Sequence, residues 1–193
     1  MASSLSAMSS EPSKTAVSHQ GTDYQTVLAW AVFLAAFGTI AGAWGFELIG
    51  GYVPCQLCLG QRIPYYVGVP VALLAVIAAI SGRQQLARLL LLIVAGIFVW
   101  GAFKGGFHAG VEWEWWQGPI SCGGGGAAAP VAPVGNLLGQ LTEGAPPVSC
   151  TVASWRFPDA DWGLSFAGWN AVISVAIVIG ALLGATRPIR AKA

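Results

Sequence analysis

The residues of this chain best suited to chemistry are its four cysteines, Cys55, Cys58, Cys122 and Cys150. Cys55-Gln56-Leu57-Cys58 is a Cys-x-x-Cys pair. Its ring closes too little chain to stabilise much as a structural staple. Redox exchange and metal binding are its common uses. A zinc site would want two more ligands at matched spacing. Cys122 and Cys150 are far apart in the chain, with no second Cys-x-x-Cys and no nearby His pair, so no metal is expected. Four cysteines allow three disulfide pairings. Nearness in the chain favours Cys55 with Cys58 and Cys122 with Cys150. Between the latter two, residues 123–129 are all Gly or Ala, and Pro130 and Pro133 follow. Such a segment is expected to be mobile. A mobile loop suits a relay in which a thiolate attacks sulfur through a mixed disulfide. The plainer alternative is a structural bridge that ties down a long loop.

Three other side chains are candidates. Arg62 follows the cysteine pair at what reads as a helix start, where the dipole disfavours a cation. An arginine near a bilayer is costly and usually functional. It could stabilise the Cys58 thiolate or hydrogen-bond a reduced acceptor, or it could only snorkel to lipid phosphate. His108 and Lys104, four apart on one helix, share a side and could donate a hydrogen bond or take up protons. Glu47 reads as a rim carboxylate, and the tryptophans near the outward helix ends suit an interfacial aromatic belt.

The elements that must position these groups follow from composition. Of 193 residues, 55% are hydrophobic and 9% charged, against about 25% charge in an ordinary soluble domain. Mean hydropathy is +0.67. A net charge of +1 argues against a nucleic-acid partner. Spans are expected at 26–49, 63–80, 89–110 and 164–185, each long enough for a core needing roughly 20 helical residues. Backbone groups in lipid must bond within their own segment, so the fold class is an all-α membrane protein, a four-transmembrane-helix bundle. Apart from Pro64 and Pro70 in the second span, no polar residue or unwound segment is expected at mid-membrane. Residues 1–25 read as a disordered tail and 187–193 as a short second tail. Residues 134–141 could form a short helix on the membrane surface.

Six of the nine basic residues, Lys14, Arg83, Arg88, Arg187, Arg190 and Lys192, fall in the tails and the 81–88 loop. The positive-inside rule makes those parts cytoplasmic. Loops 50–62 and 111–163, with all four cysteines, then face outward, the oxidising side where disulfides persist.

The stretch from Pro54 through the cysteine pair to Arg62, Pro64, Tyr65 and Tyr66 resembles the first outward loop and second-helix start of the disulfide-bond formation protein B (DsbB) family. His108-Ala109-Gly110-Val111-Glu112-Trp113, continuing through Trp116-Gln117-Gly118-Pro119 to Cys122, is similar to its second outward loop. So is Cys150 with Trp155-Arg156-Phe157 and the run from Leu164 to Asn170. The likeness covers about 26–186; Thr151 stands where many relatives carry an acidic residue. It implies a bacterial inner-membrane oxidase that takes electrons from a soluble thioredoxin-like thiol oxidase (DsbA type) in the periplasm and passes them to a membrane quinone, ubiquinone or menaquinone. In that scheme Cys122 receives the partner's thiolate, Cys150 resolves the mixed disulfide, and Cys55 and Cys58 pass the electrons on. Arg62, His108 and Lys104 would then face the quinone. A partner near about −120 mV could not be drained by an ordinary structural disulfide, whereas a lipid-soluble oxidant could drain it.

Two other readings compete. Relatives of vitamin K epoxide reductase also combine four spans, paired cysteines and a quinone, but with the Cys-x-x-Cys late in the bundle rather than early. A static, disulfide-braced scaffold or transporter would carry cysteines that never exchange.

Overall fold

A computed structural model describes residues 16–119, 150–159 and 162–186, with side chains from Tyr24 onward. Four long helices dominate it: α1 (Ala16–Leu48), α2 (Gln56–Ile80), α3 (Gln84–Glu112) and α4 (Phe166–Thr186). Each contains a window apolar enough to cross a membrane, beginning at Tyr24 in α1. Large apolar side chains such as Phe37, Leu74, Phe103 and Ile179 stand exposed on the outside of the bundle. That arrangement suits lipid as the surrounding solvent, and the chain is a multi-pass membrane protein.

Three boundaries differ from expectation. The first helix starts at Ala16, so 16–25 continue α1 instead of forming a loose tail; residues 1–15 lie outside the described part. The second starts at Gln56 rather than 63, because Cys55 caps it and cysteine is not a usual capping residue. The third begins at Gln84, which shrinks the expected 81–88 loop to a turn. There the Arg83 N–H donates to the Ala78 carbonyl at 2.9 Å and the Gly82 N–H to Ala79 at 3.1 Å. Gly82 has φ +70°, the left-handed conformation this helix ending requires.

Small residues let the helices approach closely. α3 packs most extensively on α4 and next on α2, while α1 lies against α2 and α4. The buried core is largely alanine, with Phe98, Leu91, Val94 and Ile177 filling the space between. A Cβ at Gly105 would stand 2.8 Å from the Ala171 backbone nitrogen, and one at Gly68 would stand 2.5 Å from the Phe98 ring. Only glycine fits at either position.

At the end of the bundle that carries Cys55, a short antiparallel hairpin, β1 (Arg156–Phe157) and β2 (Leu164–Ser165), leads into α4. It brings Trp155 onto Phe166, rings stacked 4.8 Å apart, and Phe46 and Tyr52 pack against the same phenylalanine.

Candidate active site

Cys55 is the N-cap of α2, with extended backbone, and its Sγ accepts the Cys58 N–H at 3.2 Å. First-turn amides and the helix dipole favour an anion there. His108 Nε2 stands 3.7 Å from the same sulfur. The Cys55 thiol is lowered from 9.0 to about 4: the Cys58 thiol hydrogen bond lowers it most, burial opposes this, and hydrogen bonds from His108 and the Cys58 backbone assist. Cys55 and Cys58 carry free thiols. Cys150 is buried and disulfide-bonded. The sulfurs of Cys55 and Cys150 and a ring nitrogen of His108 all lie within 4.8 Å of one another. Loop 1, loop 2 and α3 thus meet on one sulfur. Cys122, the 123–129 segment and residues 134–141 lie outside the described residues.

His108 is the hub. Its Nδ1 lies 2.6 Å from the Gln61 amide. The Asn170 amide donates to Gln61 Oε1 at 2.6 Å, and the Tyr65 hydroxyl donates to Asn170 Oδ1 at 2.6 Å with Ser174 Oγ 3.4 Å away. On its other side His108 Nε2 stands 3.7 Å from Glu112 Oε1. Glu112 in turn accepts a hydrogen bond from Ser165. Every buried side-chain nitrogen and oxygen among the described residues has a partner, as a polar network inside an apolar bundle requires. The charge-free spans hid these groups. Asn170 and Ser174 add polar groups within the fourth span, where the sequence singled out only the two prolines of the second, while Gln61 lies in the expected loop 50–62 just ahead of the second span. Isolated amides and hydroxyls leave hydropathy high, and the signal that finds them is polarity within a span.

Arg62 pairs with Glu47 and donates to the Ala43 carbonyl at 3.4 Å, tying α2 to α1. Glu47 is therefore a partner of Arg62 as well as a rim carboxylate. Both line a cavity of about 330 Å³ between α1, α2 and α4. Its polar wall adds Cys58, Gln61, Tyr65 and Asn170, and its aromatic wall includes Phe46, Trp155 and Phe166. On the α1 side Gly38 and Gly42 leave open space where side chains would stand.

Neither His108 nor Lys104 lines this cavity. Four residues turn a helix about 40° past a full circle, and the two diverge. His108 is buried against the thiols, while the Lys104 ammonium stands 5.4 Å from the Trp100 ring centre.

A four-helix membrane bundle that joins an acidified Cys-x-x-Cys thiol, a neighbouring disulfide and an adjoining cavity defines a membrane thiol–disulfide protein. The family model described as "Disulfide bond formation protein DsbB" matches residues 25–184, and the chain belongs to that family. It is also similar to "Disulfide bond formation protein B 2" of Pseudomonas entomophila (strain L48), at 30% identity over 139 residues, 68% of this chain and 77% of that protein. No solved structure matches. The membership gives a disulfide oxidoreductase role.

Proposed function

We infer that this protein reoxidises a soluble thioredoxin-like thiol oxidase of the DsbA type and passes two electrons to a membrane quinone. The observation that carries this is the position of Cys55: an acidified thiol within 4.8 Å of the Cys150 sulfur, and bonded through its helix cap to Cys58 on the wall of the large cavity.

The partner's thiolate attacks the Cys122–Cys150 disulfide at Cys122. The partner's second thiol then closes its own disulfide, leaving Cys122 and Cys150 as thiols. The Cys150 thiolate attacks Cys55 in a Cys55–Cys58 disulfide and expels Cys58. Cys122 attacks Cys150 in turn and releases Cys55. The loop disulfide is restored and the reducing equivalents sit on Cys55 and Cys58. Free thiols at 55 and 58 beside a disulfide-bonded Cys150 are what that step would leave, which supports the reading. His108 holds the Cys55 thiolate by hydrogen bonding, which makes Cys55 a good leaving group.

The cavity suits a quinone head group: apolar and aromatic walls, with the Arg62 guanidinium as a donor to a carbonyl oxygen. A bound quinone would supply a two-electron acceptor; Cys55 and Cys58 would give up two electrons and two protons as they close to a disulfide. Arg62 orients it and Cys58 is the thiol nearest to hand, while His108 acts on Cys55 and Lys104 stands apart. The basic residues of the tails and the 81–83 turn support cytoplasmic termini and periplasmic cysteine loops in a bacterial inner membrane.

The test is anaerobic mixing of the purified protein with a reduced thioredoxin-like oxidase and ubiquinone or menaquinone. Quinone absorbance should fall by one equivalent per partner dithiol and stay constant after thiol alkylation. Quinone loss that survives alkylation would overturn the reading.

A further inference from the structure

A second, smaller cavity of about 20 Å³ lies beside the first and is lined by Cys55, Cys58, His108 and Glu112. That volume admits one water-sized occupant. Val53, Val152, Trp155 and Phe166 close it with apolar surface. Two of its lining residues, Cys55 and His108, also belong to a cluster of donors completed by Cys150, which does not line the cavity. Cys55 Sγ, Cys150 Sγ and a His108 nitrogen lie mutually within 4.8 Å, all in buried residues. The Cys55 Sγ to His108 Nε2 separation is 3.7 Å. In a tetrahedral site with Zn–S of about 2.3 Å and Zn–N of about 2.05 Å, adjacent sulfur and nitrogen ligands stand about 3.6 Å apart. Glu112 Oε1 stands 3.7 Å from the same nitrogen and lines the same cavity, outside the 4.8 Å donor cluster, and a side-chain turn would bring it to the ion.

Sequence spacing argued against zinc because it looked for a second cysteine pair. Folding brings a histidine from α3 and a cysteine from the second loop to the first pair instead. The Cys150 sulfur becomes a ligand only when its disulfide opens, so the site belongs to the reduced protein.

The surroundings also meet the second requirement of a histidine ligand. When Nε2 binds a metal, the proton moves to Nδ1, which then needs an acceptor. The Gln61 amide, 2.6 Å from Nδ1, offers its oxygen after a half-turn. A matching half-turn at Asn170 lets its amide donate to Tyr65, whose hydroxyl then donates to Ser174, 3.4 Å away. Every member of the chain is an amide or a hydroxyl, so the whole chain can reverse with no group left unpaired.

We propose that, once the Cys150 disulfide is reduced, Cys55, Cys150 and His108 bind one zinc ion with Glu112 as the fourth ligand, and that the ion holds the protein in its thiol form. Two sulfurs, an imidazole and a carboxylate suit a soft divalent cation. Cys55 binds as the thiolate it already is, the Cys150 thiol releases its proton to solvent on binding, and no electron moves. With two sulfurs held by the ion, neither can attack or accept a disulfide. This regulation rests on the thiol relay proposed above only in requiring that the Cys150 bond can open.

The test uses the full chain in detergent, reduced with dithiothreitol, desalted without oxygen and titrated with Co²⁺. One equivalent should bind with near-ultraviolet sulfur-to-cobalt absorption and be displaced by one equivalent of Zn²⁺, while the oxidised protein binds none. Cys150→Ser and His108→Ala should each weaken binding by roughly tenfold or more, and Cys58→Ser should retain it. Helix content by circular dichroism checks that the variants fold. No binding to the reduced wild type overturns the proposal. So does the reverse pattern, binding lost in Cys58→Ser and kept in Cys150→Ser, which puts the ion on the Cys-x-x-Cys pair alone. Quinone reduction by metal-free protein is read separately: its failure with Co²⁺ binding intact overturns the relay and leaves the zinc site standing.

Discussion

His108 Nε2 lies 3.7 Å from Cys55 Sγ, although 53 residues separate them in the chain. The opposite edge of the same ring meets Gln61, the first link of an amide and hydroxyl chain whose other members, Asn170 and Tyr65, also line the large cavity. One imidazole therefore links the cysteine cluster to the wall of the large cavity.

An acidified Cys55 predicts a flat pH profile. With a thiol lowered to about 4, the reduced protein should be alkylated by iodoacetamide at Cys55 at a nearly constant rate between about pH 5.5 and 8. An ordinary thiol gains about tenfold per pH unit there. His108→Ala removes one of the smaller stabilising hydrogen bonds and should move the Cys55 thiol upward, toward its ordinary value. The same shift acts on stability: the folded thiolate's contribution is complete above 9.0 and disappears as pH falls to about 4. Denaturation of the reduced wild type and of Cys55→Ser across that range should diverge at high pH, and parallel curves would contradict the assignment.

Gly105→Val should damage the site from a distance. The added Cβ meets Ala171 backbone at 2.8 Å, and overpacking of this kind costs about 1–3 kcal/mol. With α3 pushed off α4, the bond from Asn170 to Gln61 should weaken, lowering both Tm and the reactivity of Cys55. Gly96→Val, where a Cβ meets nothing within 4 Å, is the control and should change neither.

Gly42→Leu tests the large cavity without harming its helix. The side chain enters open space on the cavity wall, and replacing glycine within a helix is favourable by roughly 0.5–1 kcal/mol. Thermal stability should hold or rise, while KM for quinone rises by about tenfold, a loss of about 1.4 kcal/mol in binding. Unchanged quinone kinetics would mean the acceptor binds elsewhere.

Arg62→His should chiefly raise the KM for quinone, since the shorter ring cannot pair with Glu47 and also face the cavity. Glu47→Gln should act more mildly, because Arg62 keeps its bond to the Ala43 carbonyl. Steady-state kinetics on both variants give the comparison. Equal defects would make the ion pair, rather than the guanidinium alone, the binding element.

The bundle was legible because lipid imposes a coarse rule: long apolar runs must be helices, and four runs gave four helices. Cys55, Cys58, Cys150 and Arg62, which the structure brings to one cluster or to the cavity wall, stood out in the sequence as types uncommon in an apolar chain. Gln61, Asn170 and Tyr65 did not, because a single amide or phenol in an apolar run has no periodic partner, and its role appears only when three helices converge. Lys104 and His108 looked equivalent by spacing. Length and flexibility separate them, the ammonium reaching out to Trp100 while the shorter imidazole stays between helices.

The tight Ser81–Arg83 connection leaves no slack between α2 and α3. The two therefore run antiparallel, which puts the Cys-x-x-Cys pair at the start of α2 and His108 near the end of α3 at the same end of the bundle. A chain with one of these helices threaded the wrong way would separate thiol from imidazole by the full thickness of the lipid, so correct threading is itself what assembles the site.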